Sequence, residues 1–148
     1  MMHIAPPQHD RVIQPQPVTS YYALTPIERG FDWAKSLQPI QQGEWYLVVF
    51  RSKHRFDADE ALLTDLDNAA AAAARALSGF LYYFIGTPLE TGECLSFCLW
   101  NSAHEAALAS AQPAHREAIV KGIDQFEYYT LERYRVVKQK EMVSFWRL

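Results

Sequence analysis

Histidine, tyrosine and arginine carry most of the acid–base chemistry that this sequence offers. The five histidines stand at 3, 9, 54, 104 and 115, a spacing that forms no metal-ligand set. His115 is the best placed to work. It follows Pro113 by two residues, in the first turn of a helix expected to start or restart there. A helix N-terminus disfavours imidazolium, so His115 should be neutral and able to take a proton from a phenol or carbon acid. The plainer use of the same residue is to pack at a helix–sheet junction. His54 reads as solvated in a polar stretch, and His104 as helix surface. Arg51 closes an apolar strand, where a guanidinium could hold a carboxylate or phenolate; its plainer use is a salt bridge to Glu44, Asp57 or Glu132. Tyr82 and Tyr83 are neighbours on a strand, so one should face the helices and could donate a hydrogen bond inside a pocket. Trp100 ends another strand, as pocket wall or as core. Asp65 and Asp67, two apart on one helix, cannot both face one site.

What must position these residues is a chain of 148, long enough for one domain with a full core. The net charge of −3 argues against nucleic acid, whose phosphates need a concentrated basic face. Aromatics make up 14% of the chain, which suits either a Tyr-rich core and subunit interface or a π-lined ligand pocket. Cys94 and Cys98, four apart on one strand, point the same way but lie too far apart to bridge. Buried reduced thiols favour the cytoplasm, and no apolar run is long enough to span a membrane. GxSxG, P-loop, GxGxxG and HExxH signatures are absent, which disfavours hydrolase, kinase, dehydrogenase and zinc-enzyme readings.

Residues 1–20, with Pro6, Pro7, Pro15 and Pro17, should form an extended arm, and residues 21–148 a single α+β domain. Thr25-Pro26-Ile27-Glu28 looks like a helix start, with Thr25 as N-cap, leading through Phe31, Trp33, Ala34 and Leu37. Glu44–Arg51 is a strand apolar on both faces, so it should be central and covered on both sides. Asp57 or Asp59 caps a long helix through Leu77, stopped by Ser78-Gly79. Phe80–Ile85 and Cys94–Trp100 are strands. In the first, Phe80, Tyr82 and Phe84 should share a face. Asn101 or Ser102 caps the next helix, which Pro113 restarts and which runs to Phe126. Tyr128–Val137 is a fourth strand, and the tail could add an edge strand. The order is a helix and then β-α-β-β-α-β, the ferredoxin-like arrangement with helices on one face of an antiparallel sheet. A second copy facing sheet to sheet would cover the other face, so a homodimer is expected.

The strand ending in Trp100, then Asn-Ser-Ala-His-Glu-Ala-Ala and Pro-Ala-His115, resembles the dimeric α+β barrel superfamily, in its antibiotic-biosynthesis-monooxygenase branch. Over Tyr21–Lys138, the motifs FDWA, GEWYLVVFRS, ALLTDLD, GFLYY, CLSFCLW, PAH and LERY resemble, in order, an uncharacterised, largely fungal family. The superfamily resemblance implies a dimeric barrel with a ligand between helix and sheet. It also implies an apolar, aromatic or polyketide-like substrate that undergoes cofactor-free oxygenation, cyclisation or isomerisation. His115 would then be the catalytic base, with Arg51, Tyr82, Tyr83 and Trp100 around the substrate and no metal. The alternative is a non-catalytic binding protein, sharpest as a haem binder with His115 on the iron.

Overall fold

The strand that is apolar on both faces does lie at the centre. In the computed structural model, which describes residues 13–148, β1 (Gln42–His54) is flanked by β3 (Glu93–Trp100) and β4 (Phe126–Gln139). With β2 (Phe80–Phe84) and β5 (Met142–Arg147) they form an antiparallel sheet in the order β2-β3-β1-β4-β5. Helix α3 (Glu60–Arg75) joins β1 to β2, while α4 (Ala103–Ser110) and α5 (Pro113–Gly122) join β3 to β4. This is the expected ferredoxin-like α+β fold, with β5 as an added edge strand. Of the Pro-rich arm, residues 1–12 lie outside the described part.

The caps follow the sequence closely. Asp59 accepts the Leu62 N–H at 3.0 Å to start α3, and Ser102 accepts the Glu105 N–H at 3.3 Å to start α4. Pro113 occupies the first turn of α5, where its missing N–H costs nothing. Other boundaries move. α3 stops at Arg75 rather than Leu77, and α5 ends at Gly122, followed by a 3-10 turn over Ile123–Gln125. The N-terminal helix is two single turns, α1 (Ile27–Gly30) and α2 (Trp33–Ser36). Thr25 does not cap α1; its hydroxyl donates to the Tyr21 carbonyl at 2.8 Å, and Pro26 takes the cap position.

Directly paired residues of antiparallel strands share a face. One face carries Trp45, Leu47, Val49 and Arg51 of β1, Leu95, Phe97 and Leu99 of β3, and Glu132, Tyr134 and Val136 of β4. Residues 13–41 lie across it, with Ile13, Ala23, Ile27, Phe31, Trp33, Leu37 and Ile40 buried against the sheet. Phe97 is fully buried, edge-on to Phe31 at 5.0 Å and stacked on Phe84 at 5.5 Å. This segment adds no strand to the sheet. Side chains tie it down: Arg51 donates to the Ala23 and Thr25 carbonyls at 3.0 and 2.9 Å, and Lys138 to Leu37 at 2.6 Å. The sequence reading left this face to a second copy; the chain covers it with its own residues.

The other face carries Tyr46, Val48, Phe50 and Ser52, opposite Trp100, Cys98, Ser96 and Cys94 on β3 and Arg135, Arg133, Leu131 and Tyr129 on β4. The helices cover it. A register shift between Phe80 and Tyr82 moves Phe80 to this side, edge-on to Trp100 at 5.5 Å, so Phe80 does not share a face with Tyr82 and Phe84. α3 and α5 run antiparallel, as the strand directions require, and pack chiefly on each other. A side chain at Gly122 would meet Leu63 and Leu66 within 3.5 Å, which sets α5 against α3 at that end.

Candidate functional site

The helix face holds a buried polar cluster at its middle. α3 presents Asp67 to β2, and the Tyr83 hydroxyl donates to its Oδ1 at 2.5 Å. Burial raises the Asp67 carboxyl above the usual carboxylate range, against the pull of the Tyr83 hydrogen bond. Burial and the facing carboxylate drive the Tyr83 phenol upward in turn. Cys98, directly opposite Tyr83, is pushed up to about 12, chiefly by burial. Cys94 is pushed up to about 11 for the same reason, and both thiols are free. Tyr129 reaches in from β4. Its residue is 38% exposed, and burial raises its hydroxyl above the usual phenol range. Phe50 and Phe126 flank that ring at 6.2 and 5.2 Å. On the same sheet face Leu131, opposite Phe50, is 37% exposed.

Such a cluster can anchor and deprotonate. The second oxygen of Asp67 has no hydrogen bond among the described residues, and a carboxylate of raised pKa is a better proton acceptor than an ordinary one. Spacing explains why Asp67 was not singled out. The rule that Asp65 and Asp67 cannot share a site holds, with Asp65 exposed and Asp67 half-buried. Choosing between them needs the rotation of α3 over β2. The one usable signal was Tyr83 itself, a strand tyrosine whose face required a partner on a helix.

The residues expected to form one site divide between the two faces. Tyr83, Trp100 and His115 belong to the helix side; Arg51 and Tyr82 lie under the N-terminal segment, so no single pocket takes all five. Arg51 gives Nε to Glu132 at 2.5 Å and its other nitrogens to the Ala23 and Thr25 carbonyls. It lines a solvent-open depression of about 350 Å³ with Leu24, Glu132, Tyr134 and Arg147, remote from the helices. Tyr82 accepts from the Gln16 side chain at 3.3 Å and packs on Phe97. Trp100 is 3% exposed and packs with Phe80, Ala106 and Ala109.

His115 sits in the first turn of α5, half-buried, its pKa lowered by burial. It precedes Gly122 by seven residues, so it lies roughly 10 Å along the helix pair from the Asp67 end, abreast of the alanine run. Its Nδ1 is sealed from solvent and has no protein partner. Among the described residues no three His, Cys, Asp or Glu side chains gather as a metal site, and no helix is long and apolar enough to cross a membrane.

The sequence model of the PB2B2.08-like family matches residues 9–148. The chain belongs to this family. No curated protein is significantly similar in sequence. The PB2B2.08-like chain shares its fold with the Mycobacterium tuberculosis protein Rv0793, at 20% identity and a TM-score of 0.53, over 60% of this chain and 91% of that one. It is also similar to a Chloroflexus aurantiacus protein described as a candidate antibiotic biosynthesis monooxygenase, at 15% identity and a TM-score of 0.50, over 60% and 89%. A Thermobifida fusca protein described as dimeric and ferredoxin-like matches at 10% identity and a TM-score of 0.51, over 62% and 90%. At these identities the likeness establishes the ferredoxin-like fold. More than a third of this PB2B2.08-like chain has no counterpart in those three structures.

Proposed function

We propose that this PB2B2.08-like protein is a small-molecule enzyme that removes a proton from an apolar, aromatic or polyketide-like substrate on the helix face. The observation that carries the reading is the Tyr83–Asp67 hydrogen bond at 2.5 Å, with Phe50 and Tyr129 on the same face of the sheet. A phenolic substrate would lie against Phe50 and Tyr129 and present its acidic O–H or C–H to the free oxygen of Asp67. The proton moves to the carboxylate, and the electron pair it leaves delocalises over the ring system. From that anion, isomerisation returns the proton to another carbon; cyclisation adds the carbanion to a carbonyl of the same molecule, whose C=O π bond breaks and whose oxygen takes the proton; and oxygenation adds dioxygen to the carbon, giving a hydroperoxide that loses water to leave a ketone. Tyr83 keeps Asp67 in place and damps its charge. His115, kept neutral by burial, is the second acceptor in this proposal. Free, deeply buried thiols suit a cytoplasmic setting. The expected homodimer has to pair through a surface other than the sheet face that residues 13–41 cover.

The test uses 1,8-dihydroxyanthrone, whose C10 hydrogens are acidic, with NMR detection of their exchange for deuterium and an oxygen electrode for uptake. The wild-type protein should accelerate exchange. Asp67→Asn should lose about 100-fold or more of that acceleration, with Tyr83→Phe a smaller part. Loss on His115→Ala with Asp67→Asn unaffected would move the base to α5. No acceleration by the wild type over free carboxylate would end the enzyme reading for this substrate class.

A further inference from the structure

Arg51 takes no part in the chemistry of the helix face, and the fold does not use all of its donors. A guanidinium carries five N–H groups. Nε donates to Glu132, Nη1 to the Ala23 carbonyl and Nη2 to the Thr25 carbonyl, which leaves one N–H free on each terminal nitrogen among the described residues. The side chain is 19% exposed and lines the open depression of about 350 Å³.

The floor of that depression is a row of polar side chains. Glu132 on β4 accepts from Arg51 on one oxygen and from the Tyr134 hydroxyl, at 2.7 Å, on the other. Arg147 of β5, directly opposite Tyr134, holds its guanidinium over the Tyr134 ring, 5.6 Å from the centroid. The row therefore runs Arg51, Glu132, Tyr134, Arg147, with a cation at each end. Glu132 offsets Arg51, and each of its oxygens already holds a donor. Arg147 is exposed and makes no ion pair among the described residues. The lining groups thus carry one positive charge in excess.

The wall beside the row is apolar. Leu24, 61% exposed, and the exposed Pro26 line the depression. The carbonyls on either side of Leu24, those of Ala23 and Thr25, are both held by Arg51, so the apolar wall and the guanidinium are fixed relative to each other. Binding would not have to order them first.

We propose that this depression binds a small aromatic monocarboxylate. The carboxylate is drawn by Arg147 and by the free N–H groups of Arg51, while the ring lies against Leu24 and Pro26. A monoanion matches the single excess charge. An apolar body distinguishes the ligand from inorganic phosphate, to which Leu24 and Pro26 offer nothing. The volume is near the lower end for ligand pockets, which suits one ring. Arg51 and Asp67 lie on opposite faces of the sheet, so this site is separate from the proton chemistry proposed above.

The experiment titrates the full chain with 4-fluorobenzoate, followed by fluorine NMR of the ligand and nitrogen-15 spectra of the protein. Saturable binding with a dissociation constant of about 1 mM is expected. The Arg51 Nε–H and the Leu24 amide should shift, and the Tyr83 and Asp67 amides should not. Arg147→Gln and Leu24→Ser alter exposed side chains and should keep the fold. The first should weaken binding about tenfold and the second about threefold. 4-Fluorobenzamide, which has the same shape without the charge, should bind about tenfold more weakly. Absence of saturable binding to the unaltered protein up to about 20 mM would overturn the proposal. Equal affinity in Arg147→Gln would overturn it too. Displacement by inorganic phosphate as readily as by benzoate would make this a plain anion site and end the aromatic assignment. Shifts confined to Tyr83, Asp67 and their neighbours would put the ligand on the helix face and overturn the site itself.

Discussion

The two faces of one sheet are built to different standards. Under residues 13–41 the aromatic rings interlock, the core residues are nearly dry, and Arg51 and Lys138 satisfy backbone carbonyls. Under the helices the buried side chains are mostly small: Ala71, Cys94, Ser52, Ala106 and Ala109, with Trp100 the one large ring. There the polar groups gather, a carboxyl and two phenols shifted upward by burial. Close packing leaves no room for a ligand, and loose packing over polar groups costs stability unless something is gained from it. The dense face therefore holds the fold, and the helix face holds the buried polar groups. The split also puts Arg51 and Tyr83 on opposite faces, although both are expected at one site.

The largest test of this contrast is a pair of truncations. Phe97→Ala removes a ring held by Phe31, Phe84, Trp33 and Tyr82 and should cost about 3–5 kcal/mol in urea unfolding. Leu131→Ala on the helix face, already 37% exposed, should cost about 1 kcal/mol or less. Equal losses would erase the difference between the faces.

A smaller effect tests what Arg51 does. Its side chain is 19% exposed and that of Glu132 14%, so solvent screens the pair only in part. Arg51→Met leaves Glu132 and two carbonyls without their donor and should cost about 2 kcal/mol. The anthrone exchange rate should not change. A lost rate with unchanged stability would return Arg51 to the substrate.

Much of this architecture was legible because it depends on short-range signals. Asp59, Ser102 and Pro113 announce helix starts through their own hydrogen-bonding, and strict alternation in β3 placed Leu95, Phe97 and Leu99 together. The central position of β1 followed from apolar residues on both sides. The cover over its second face was not legible, because a plate of single-turn helices has no period of its own. The same sequence pattern fits a partner subunit or a folded-back segment. The shift at Phe80 escaped for a related reason: a bulge depends on the neighbouring strand and leaves no mark on its own strand. In the site, Tyr83 was accessible to face-counting, whereas Asp67 required the rotation of α3.

The smallest effects come from protons, and here Asp67 and His115 should pull in opposite directions. The folded Asp67 pKa lies above its ordinary 3.8 because burial disfavours the carboxylate. Between the two values the folded protein keeps a proton that the unfolded chain has released. Stability therefore falls as pH rises from 3.8 to the folded value and stays reduced above it. Asp67→Asn removes that penalty while its amide oxygen can still accept from Tyr83. The variant should be at least as stable as the wild type at pH 7 and lack the decline. His115 is the mirror case. Its folded pKa lies below 6.5 through burial, so as pH drops through 6.5 the unfolded chain takes up a proton that the folded one refuses. The stabilisation is complete above 6.5 and fades toward the folded pKa. His115→Leu should flatten that arm alone. Either slope is at most about 1.4 kcal/mol per pH unit, so the measurement is the wild-type-minus-variant difference in urea midpoints from pH 4 to 8. If Asp67→Asn removes an arm that rises with pH, Asp67 is an ordinary paired carboxylate. It would then be a strut for Tyr83, and the base would have to be sought at His115.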